Sequence, residues 1–268
     1  MMRSTTTPQN KPNIPGFVRR MAVGAGVLVF WLAVWQGISM LVAQELLVPA
    51  PLVVARALGR LAGTAAFWTA AGRSLLRVME GFLLAVAAGC LLSVMTTRFR
   101  AAKALLSPLL HVVRAAPVAS FIILALVWIK TNTLPVFIAF LMVVPVVWGN
   151  VEKGIRATDP QLLEMARTYR FSPPKTLRRV WIPSVMPYFM AACTTGLGFA
   201  WKSGIAAEVI CRPAQSIGKY LQDAKLTLET PDVFAWTITV VTLSLLLEKL
   251  LVAAARRFGR RYGAETGR

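Results

Sequence analysis

Long blocks of apolar residues, separated by shorter polar and basic segments, run along most of the chain. Residues 21–43 contain no charged side chain, and neither do residues 131–151. Because about 20 apolar residues are enough to cross the hydrocarbon core of a bilayer, each block can form a transmembrane helix. The pattern predicts six such helices, at residues 21–43, 75–97, 107–129, 133–150, 184–208 and 233–252. The predicted fold class is therefore an all-α integral membrane protein.

The segments outside these blocks are polar or mixed in character. Residues 1–20 are expected to form a disordered tail, and residues 254–268 a second, basic tail. Residues 53–71 are mixed in polarity and are expected to form a helix that lies along the external membrane surface. The first apolar block is longer than the apolar region of a cleaved signal peptide, so it is expected to remain as the first span.

Composition and charge support a membrane protein and indicate its orientation. The chain is 56% hydrophobic, and only 15% of its residues are charged, against roughly 25% in a typical soluble domain. The net charge of +19 does not indicate nucleic-acid binding, because the basic residues lie between apolar blocks and at the chain ends. The two tails and the segments 97–106 and 152–179 hold 19 of the 30 Lys and Arg residues, whereas the opposite loops hold 7. The positive-inside rule then predicts that both termini and residues 152–179 are cytoplasmic.

Several charged residues fall inside the predicted spans, where a charge is expensive and often functional. Arg77, Arg114 and Lys202 are candidates for a translocation pathway, and the alternative is that each lies near a span end and extends to the interface. Arg77 can pair with Glu80, three positions later on the same helix face. Glu208 lies almost two turns from Lys202, so no direct pair is expected between them.

Small residues recur in the fifth predicted span, where they allow close approach of helices or line a pore. They are Ala191, Ala192, Gly196, Gly198, Ala200 and Gly204.

Catalytic and metal-binding motifs are missing from the sequence. It contains no G-x-x-x-x-G-K-[ST] phosphate loop. The single histidine, His111, and three cysteines without C-x-x-C spacing do not make a usual zinc site. No Ser-His-Asp arrangement is recognisable either. We therefore expect a transport protein without a catalytic site, metal or cofactor. The alternatives are a secondary transporter, which commonly shows internal repeats that this sequence lacks, and a membrane-embedded enzyme or scaffold.

Residues 159–183, between the fourth and fifth predicted spans, carry strong local signals. Asp159 can cap a helix whose first residue is Pro160. Ser172 followed by proline repeats this signal and predicts a second helix at residues 173–181, before Pro183 begins the next span. The sequence thus predicts a helix-turn-helix between two spans. Its alternative role is a helical loop whose basic residues face anionic lipid.

This segment resembles the EAA motif of the permeases of binding-protein-dependent ABC transporters. Glu164-Met165-Ala166 matches E-A-A with one change, and Ile182-Pro183 matches the hydrophobic-Pro pair that closes the motif. The glycine of the family falls on Arg170, which enters a turn less readily than glycine does. Further similarities occur in the family's order between about residue 68 and residue 257, at residues 71–82, 113–117, 195–208 and 216–224. Together they resemble the nitrate, sulfonate and taurine branch.

The resemblance implies a fold and a set of partners. It implies a type I ABC importer permease with a core at residues 68–253 and a cytoplasmic coupling loop at residues 152–183. It also implies two copies of an ATPase subunit, a second permease copy and an external substrate-binding protein, in a bacterial plasma membrane. The substrate implied by the resemblance is a small solute that is either anionic or contains organic sulfur or nitrogen. The implied coupling helix contains Leu163, Glu164, Met165, Ala166, Arg167 and Arg170.

Overall fold

The computed structural model describes the backbone of residues 16–261 and the side chains of residues 23–253. All regular elements of this part of the chain are helices, in agreement with the predicted fold class. In chain order they are α1 (Gly16–Val42), α2 (Pro51–Ala62), α3 (Ala65–Arg98), α4 (Arg100–Ala115), α5 (Val118–Ala125), α6 (Leu134–Arg156), α7 (Pro160–Thr168), α8 (Pro173–Thr176), a π-helical turn (Leu177–Trp181), α9 (Ile182–Cys211), α10 (Ile217–Leu226) and α11 (Thr230–Arg261).

Three long helices, α3, α6 and α9, pack together at the centre of the bundle. Glycines allow α3 to approach α6 closely. A Cβ atom at Gly81 would lie 2.4 Å from the carbonyl oxygen of Val136, and one at Gly89 would lie 2.7 Å from the Cβ of Val147. Real Cβ atoms do not come this close, so any larger side chain at either position would push the two helices apart. This is the small-residue packing common in membrane helices.

The small residues of α9 also contribute to this packing, although not all of them. A Cβ atom at Gly204 would lie 2.7 Å from Val78 of α3, and one at Gly196 would lie 3.1 Å from Val143 of α6. By contrast, a Cβ atom at Gly198 would meet no atom within 4 Å. Helix packing therefore accounts for Gly196 and Gly204, while Gly198 borders open space.

Four helices of the described chain are long and apolar enough to cross a membrane: α1, α3, α6 and α11. The bent pair of α4 and α5 makes a fifth candidate if it is counted as one span. With 30 residues, α9 is about 45 Å long, but it carries polar side chains along its length and is not among the five. The count of six spans stays a prediction. It requires the bent pair of α4 and α5 to count as one span and α9 to cross beside α3 and α6.

The second and third predicted spans differ from the observed helices. The helix predicted at residues 53–71 ends earlier than expected, because α2 stops at Ala62. The next helix, α3, begins at Ala65, ten residues before the predicted start of the second span at residue 75. Thr64 caps it by accepting a hydrogen bond from the backbone N–H of Phe67 (3.3 Å). The predicted helix at 107–129 is two helices bent by 105°. The bend falls at Ala116, which is extended (φ −81°, ψ 140°) because the ring of Pro117 disfavours the helical conformation in the residue before it.

The predicted break at Pro183 is also absent. The chain is helical without interruption from Pro173 to Cys211, through the π-helical turn. In that turn the N–H of Ile182 donates to the carbonyl of Leu177, five residues earlier. Pro183 has no N–H to continue the usual ladder, and the wider turn directly before it keeps the helix continuous.

The two predicted tails lie mostly outside the described residues. Residues 1–15 and 262–268 are not described. At the inner margins, residues 16–20 belong to α1 and residues 254–261 continue α11, so the helices extend beyond the predicted spans at both ends.

Candidate functional site

The helix predicted after Asp159 is present as α7. Asp159 caps it by accepting a hydrogen bond from the N–H of Gln161 (2.8 Å), and Pro160 occupies the first turn, where its missing N–H has no consequence. The cap and the proline fix the first residue of α7, as the sequence predicts.

The end of α7 depends on Arg170, the residue that stands at the family's glycine position. Arg170 has a φ of 50°, in the left-handed region. Its N–H donates to the carbonyl of Arg167 (3.0 Å), and the N–H of Phe171 donates to the carbonyl of Ala166 (2.8 Å). These two bonds form a Schellman motif, which usually has glycine at this position. Arginine therefore adopts the glycine conformation at a cost of roughly 1–2 kcal/mol, and the turn is retained.

The two faces of α7 have different surroundings. Ala166 is buried, and α7 contacts the π-helical turn. Beside this buried edge, Leu162, Met165 and Tyr169 are 40%, 41% and 72% exposed. Their spacing of three and four residues places them on one face. The segment thus presents an apolar stripe that no described part of the chain covers.

The remaining residues predicted for the coupling helix lie around this stripe. Leu163 is half-buried, whereas Glu164, Arg167 and Arg170 are exposed. The apolar stripe is therefore bordered by charged side chains of both signs.

The three basic residues predicted for a translocation pathway lie in three different places. Arg77 binds the carboxylate of Glu208 and the carbonyl oxygen of Ala214. Arg114, at the end of α4, donates to the carbonyl oxygen of Pro145 on α6 (2.7 Å). Gly149 makes room for this contact, because a Cβ atom there would lie 2.6 Å from the Arg114 guanidinium.

Lys202 is exposed on α9 and, unlike Arg77 and Arg114, its side chain makes no hydrogen bond to another described residue. It also has no carboxylate within 4 Å among the described residues. It lines a cavity of about 330 Å³ between α9 and α11. Thr194, Thr195, Ser244 and Glu248 also contribute polar groups to this cavity.

A buried polar cluster surrounds Glu208, near the end of α9. Its side chain has no exposed surface. It accepts hydrogen bonds from Ser74 Oγ (2.6 Å), from Arg77 (3.3 Å) and from the N–H of Gly218 (3.3 Å). Ser74 Oγ in turn accepts from the N–H of Ile217 (3.0 Å). One carboxylate thus connects α3, α9 and the first turn of α10.

The sequence profile of one family, described as the binding-protein-dependent transport system inner membrane component, matches residues 81–263. The chain belongs to this family of permeases. The matched region begins within α3 and includes the whole segment that carries α7, the Schellman turn and the π-helical turn.

Curated relatives and solved structures agree with this assignment. The "probable ABC transporter permease protein" of Brucella melitensis biotype 1 is 32% identical over 186 residues, which are 69% of this chain and 75% of that protein. The taurine transport system permease protein of Escherichia coli is 25% identical over 246 residues, 89% of each chain. The bicarbonate transport system permease protein of Synechococcus elongatus is 27% identical over 186 residues, 69% of this chain and 66% of that one.

The fold is similar to that of an amino acid ABC transporter whose crystal structure contains histidines. The TM-score is 0.61 at 18% identity, over 76% of this chain and 97% of the other. The methionine ABC transporter gives a TM-score of 0.52 at 19% identity, over 73% and 93% of the two chains.

Family membership determines the role of the permease. It is a transport subunit of an ATP-driven importer and a multi-pass inner membrane protein, and the hydrolysis of ATP belongs to partner ATPase subunits. The alternatives of a secondary transporter and of a membrane-embedded enzyme are thereby excluded.

Sequence reasoning missed the cluster around Glu208. It paired Arg77 with Glu80, and this pairing is wrong, because Arg77 turns to Glu208, 131 positions away. The signal was present, since an acid inside an otherwise apolar span needs a basic partner. Arg77, Arg114 and Lys202 were three basic candidates in the predicted spans, and spacing along the chain gave no reason to choose Arg77.

Proposed function

We propose that the permease forms one half of a pathway for a small anionic solute, and that the exposed face of α9 lines that half. The observation that carries this proposal is Lys202. It is an exposed cation on a helix whose other faces are buried against α3 and α6. The family relatives named for bicarbonate and taurine transport are consistent with a solute that carries negative charge.

The exposed face of α9 has the spacing of a single helical stripe. Thr195, Phe199, Lys202 and Ala206 are exposed, and they follow each other at intervals of four, three and four residues. A lysine that faced lipid in the middle of a span would cost about 2.5–3.5 kcal/mol. A face that carries a lysine and a threonine is therefore better suited to a polar pathway beside a second permease copy.

Arg77 is less suited to attract an anion, because the carboxylate of Glu208 already balances its charge. Arg114 retains its net charge while it holds a carbonyl of α6. We therefore infer that Lys202 is the principal cation of the pathway, with Arg114 as a second candidate.

The second part of the proposal concerns coupling. The stripe of Leu162, Met165 and Tyr169 would dock on an ATPase subunit at the cytoplasmic side, with Glu164 and Arg167 making polar contacts at its border. The cap at Asp159 and the turn at Arg170 hold α7 against a helix that continues through the π-helical turn into α9. Movement of the docked α7 would therefore reach the proposed pathway face directly. An external binding protein would deliver the solute to the opposite side.

The proposal can be tested by uptake into proteoliposomes that contain the complete transporter and its binding protein. The probes are radiolabelled bicarbonate, taurine and an alkanesulfonate, and the rate of ATP-dependent uptake is measured for each. Lys202→Met is expected to reduce uptake of the transported probe at least ten-fold without loss of the assembled complex, whereas Lys225→Met, on external α10, is the matched control. Unchanged uptake by Lys202→Met would contradict the pathway assignment.

A further inference from the structure

An apolar groove opens between α3, α6, the π-helical turn and the first turns of α9, at the end of the bundle that carries α7. Its volume is about 490 Å³. Thr97 and Arg98 are its polar side chains, together with the thiol of Cys90. The other lining residues are apolar and include Val94, Ile155, Trp181, Val185 and Phe189.

The groove carries one basic side chain, Arg98. Arg98 lines the groove, is exposed, and has no carboxylate within 4 Å among the described residues. Arg178 and Arg179 are exposed on the π-helical turn but do not line the groove. Glu152, which adjoins the lining residue Val151 in sequence, already binds Lys103 (2.8 Å) and Arg156 (3.0 Å). The groove thus combines an apolar interior with the cation of Arg98, which no described carboxylate within 4 Å balances.

We propose that this groove holds an anionic phospholipid of the membrane, with one acyl chain against the apolar wall and its phosphate paired with Arg98. Basic pockets between membrane helices on the cytoplasmic side suit anionic head groups. The volume lies within the range of about 300–1,000 Å³ for ligand pockets. A helix of a second copy fits less well, because this volume accommodates only about one turn of a helix roughly 10 Å wide.

The groove lies where a bound lipid would affect coupling between α7 and α9. Leu177 and Trp181 line it, and they are the first and last residues of the π-helical turn. This turn is the joint between the segment that carries α7 and the long helix α9. Single π turns are irregular and often lie at functional positions. An acyl chain packed against the π-helical turn would stabilise its conformation. Because this turn connects α7 to α9, the efficiency of coupling would then depend on the lipid composition of the membrane.

Lipid retention by the purified full-length permease tests this site without the need for a known transport substrate. The protein is equilibrated in nanodiscs that contain phosphatidylglycerol or phosphatidylcholine, and the lipids that remain after transfer to mild detergent are counted by native mass spectrometry. Arg98→Gln is expected to retain about five-fold less phosphatidylglycerol. Arg100→Gln is the matched control, because Arg100 is also exposed but does not line the groove.

A second measurement uses the tryptophan inside the groove. Phosphatidylglycerol with brominated acyl chains is expected to quench part of the fluorescence, and Trp181→Phe is expected to remove that part. Val185→Trp, which fills the groove, is expected to lower lipid retention without a change in oligomeric state. Equal retention by Arg98→Gln and Arg100→Gln, together with an unquenched Trp181, would overturn the proposal. Loss of a dimer by Val185→Trp with lipid retention unchanged would also overturn it and would assign the groove to a second copy.

Discussion

Arg77 of α3 and Glu208 of α9 form an ion pair across the core of the bundle, with 3.3 Å between Nη1 and Oε1. The side chain of Arg77 is 13% exposed and that of Glu208 is fully buried. Arg77 also holds the carbonyl of Ala214, and Glu208 holds the N–H of Gly218. The pair therefore connects two of the three central helices, α3 and α9, to the segment that leads into α10.

Removal of one partner of this pair is expected to destabilise the permease more than removal of both. Arg77→Met leaves a buried carboxylate without its cation, and a loss of this kind typically costs about 3–5 kcal/mol. In the double variant Arg77→Met/Glu208→Gln the amide can still accept from Ser74, so part of the stability should return. The measurement is the thermal-unfolding midpoint of the purified protein in detergent. If the double variant were as unstable as the sum of the single variants, the pair would contribute no coupling energy.

The close approach of Gly218 to Glu208 leads to a second prediction. A Cβ atom at Gly218 would lie 2.4 Å from the Glu208 Cβ and 2.5 Å from the backbone N of Val209. Gly218→Ala is therefore expected to displace α10 and lower stability by about 1–3 kcal/mol, read from the same unfolding midpoint. Gly72→Ala is the control, since a Cβ atom at Gly72 meets nothing within 4 Å and alanine favours the helix. Equal midpoints for both variants would contradict the close contact between Gly218 and Glu208.

The left-handed conformation of Arg170 predicts how substitutions there behave. Arg170→Gly is expected to keep ATP-dependent uptake and to stabilise the turn by roughly 1 kcal/mol, because glycine adopts this conformation without strain. Arg170→Val is expected to lose uptake, since a β-branched residue is a strong outlier at positive φ. Uptake in proteoliposomes and hydrogen exchange at residues 166–171 measure the two effects. Full uptake with Arg170→Val would show that the turn is not needed for coupling.

The apolar stripe of α7 predicts a specific loss of the ATPase partner. Met165 is exposed at its centre, so Met165→Asp is expected to reduce co-purification of the ATPase subunits at least ten-fold, because burial of an unpaired charge in an interface is costly. Membrane insertion should be unchanged. Lys225→Asp, at an exposed position of α10 and far from α7, is the control. Retention of the ATPase by Met165→Asp would assign the docking surface to another part of the permease.

The sequence itself determined the helical class and the positions of most helices, because runs of apolar residues report burial in lipid or in a core directly. It also determined the start of α7, since the cap of Asp159 and the position of Pro160 are local interactions. The resemblance of residues 164–166 to the EAA motif identified the family, which the profile match at residues 81–263 confirms. Proline effects were harder to judge from sequence: Pro117 bends the chain by 105°, while Pro183 does not interrupt its helix.

Only the tertiary structure decided which distant residues meet. The pattern around Arg77 offered Glu80 as a neighbour on the same helix, whereas the folded chain brings Glu208 to it from 131 positions away. The reason is that apolar periodicity determines which face of a helix is buried but carries no information about which helix lies against that face. The close contacts at Gly81, Gly89 and Gly218 likewise depend on which element packs against each glycine. The sequence does not contain this information.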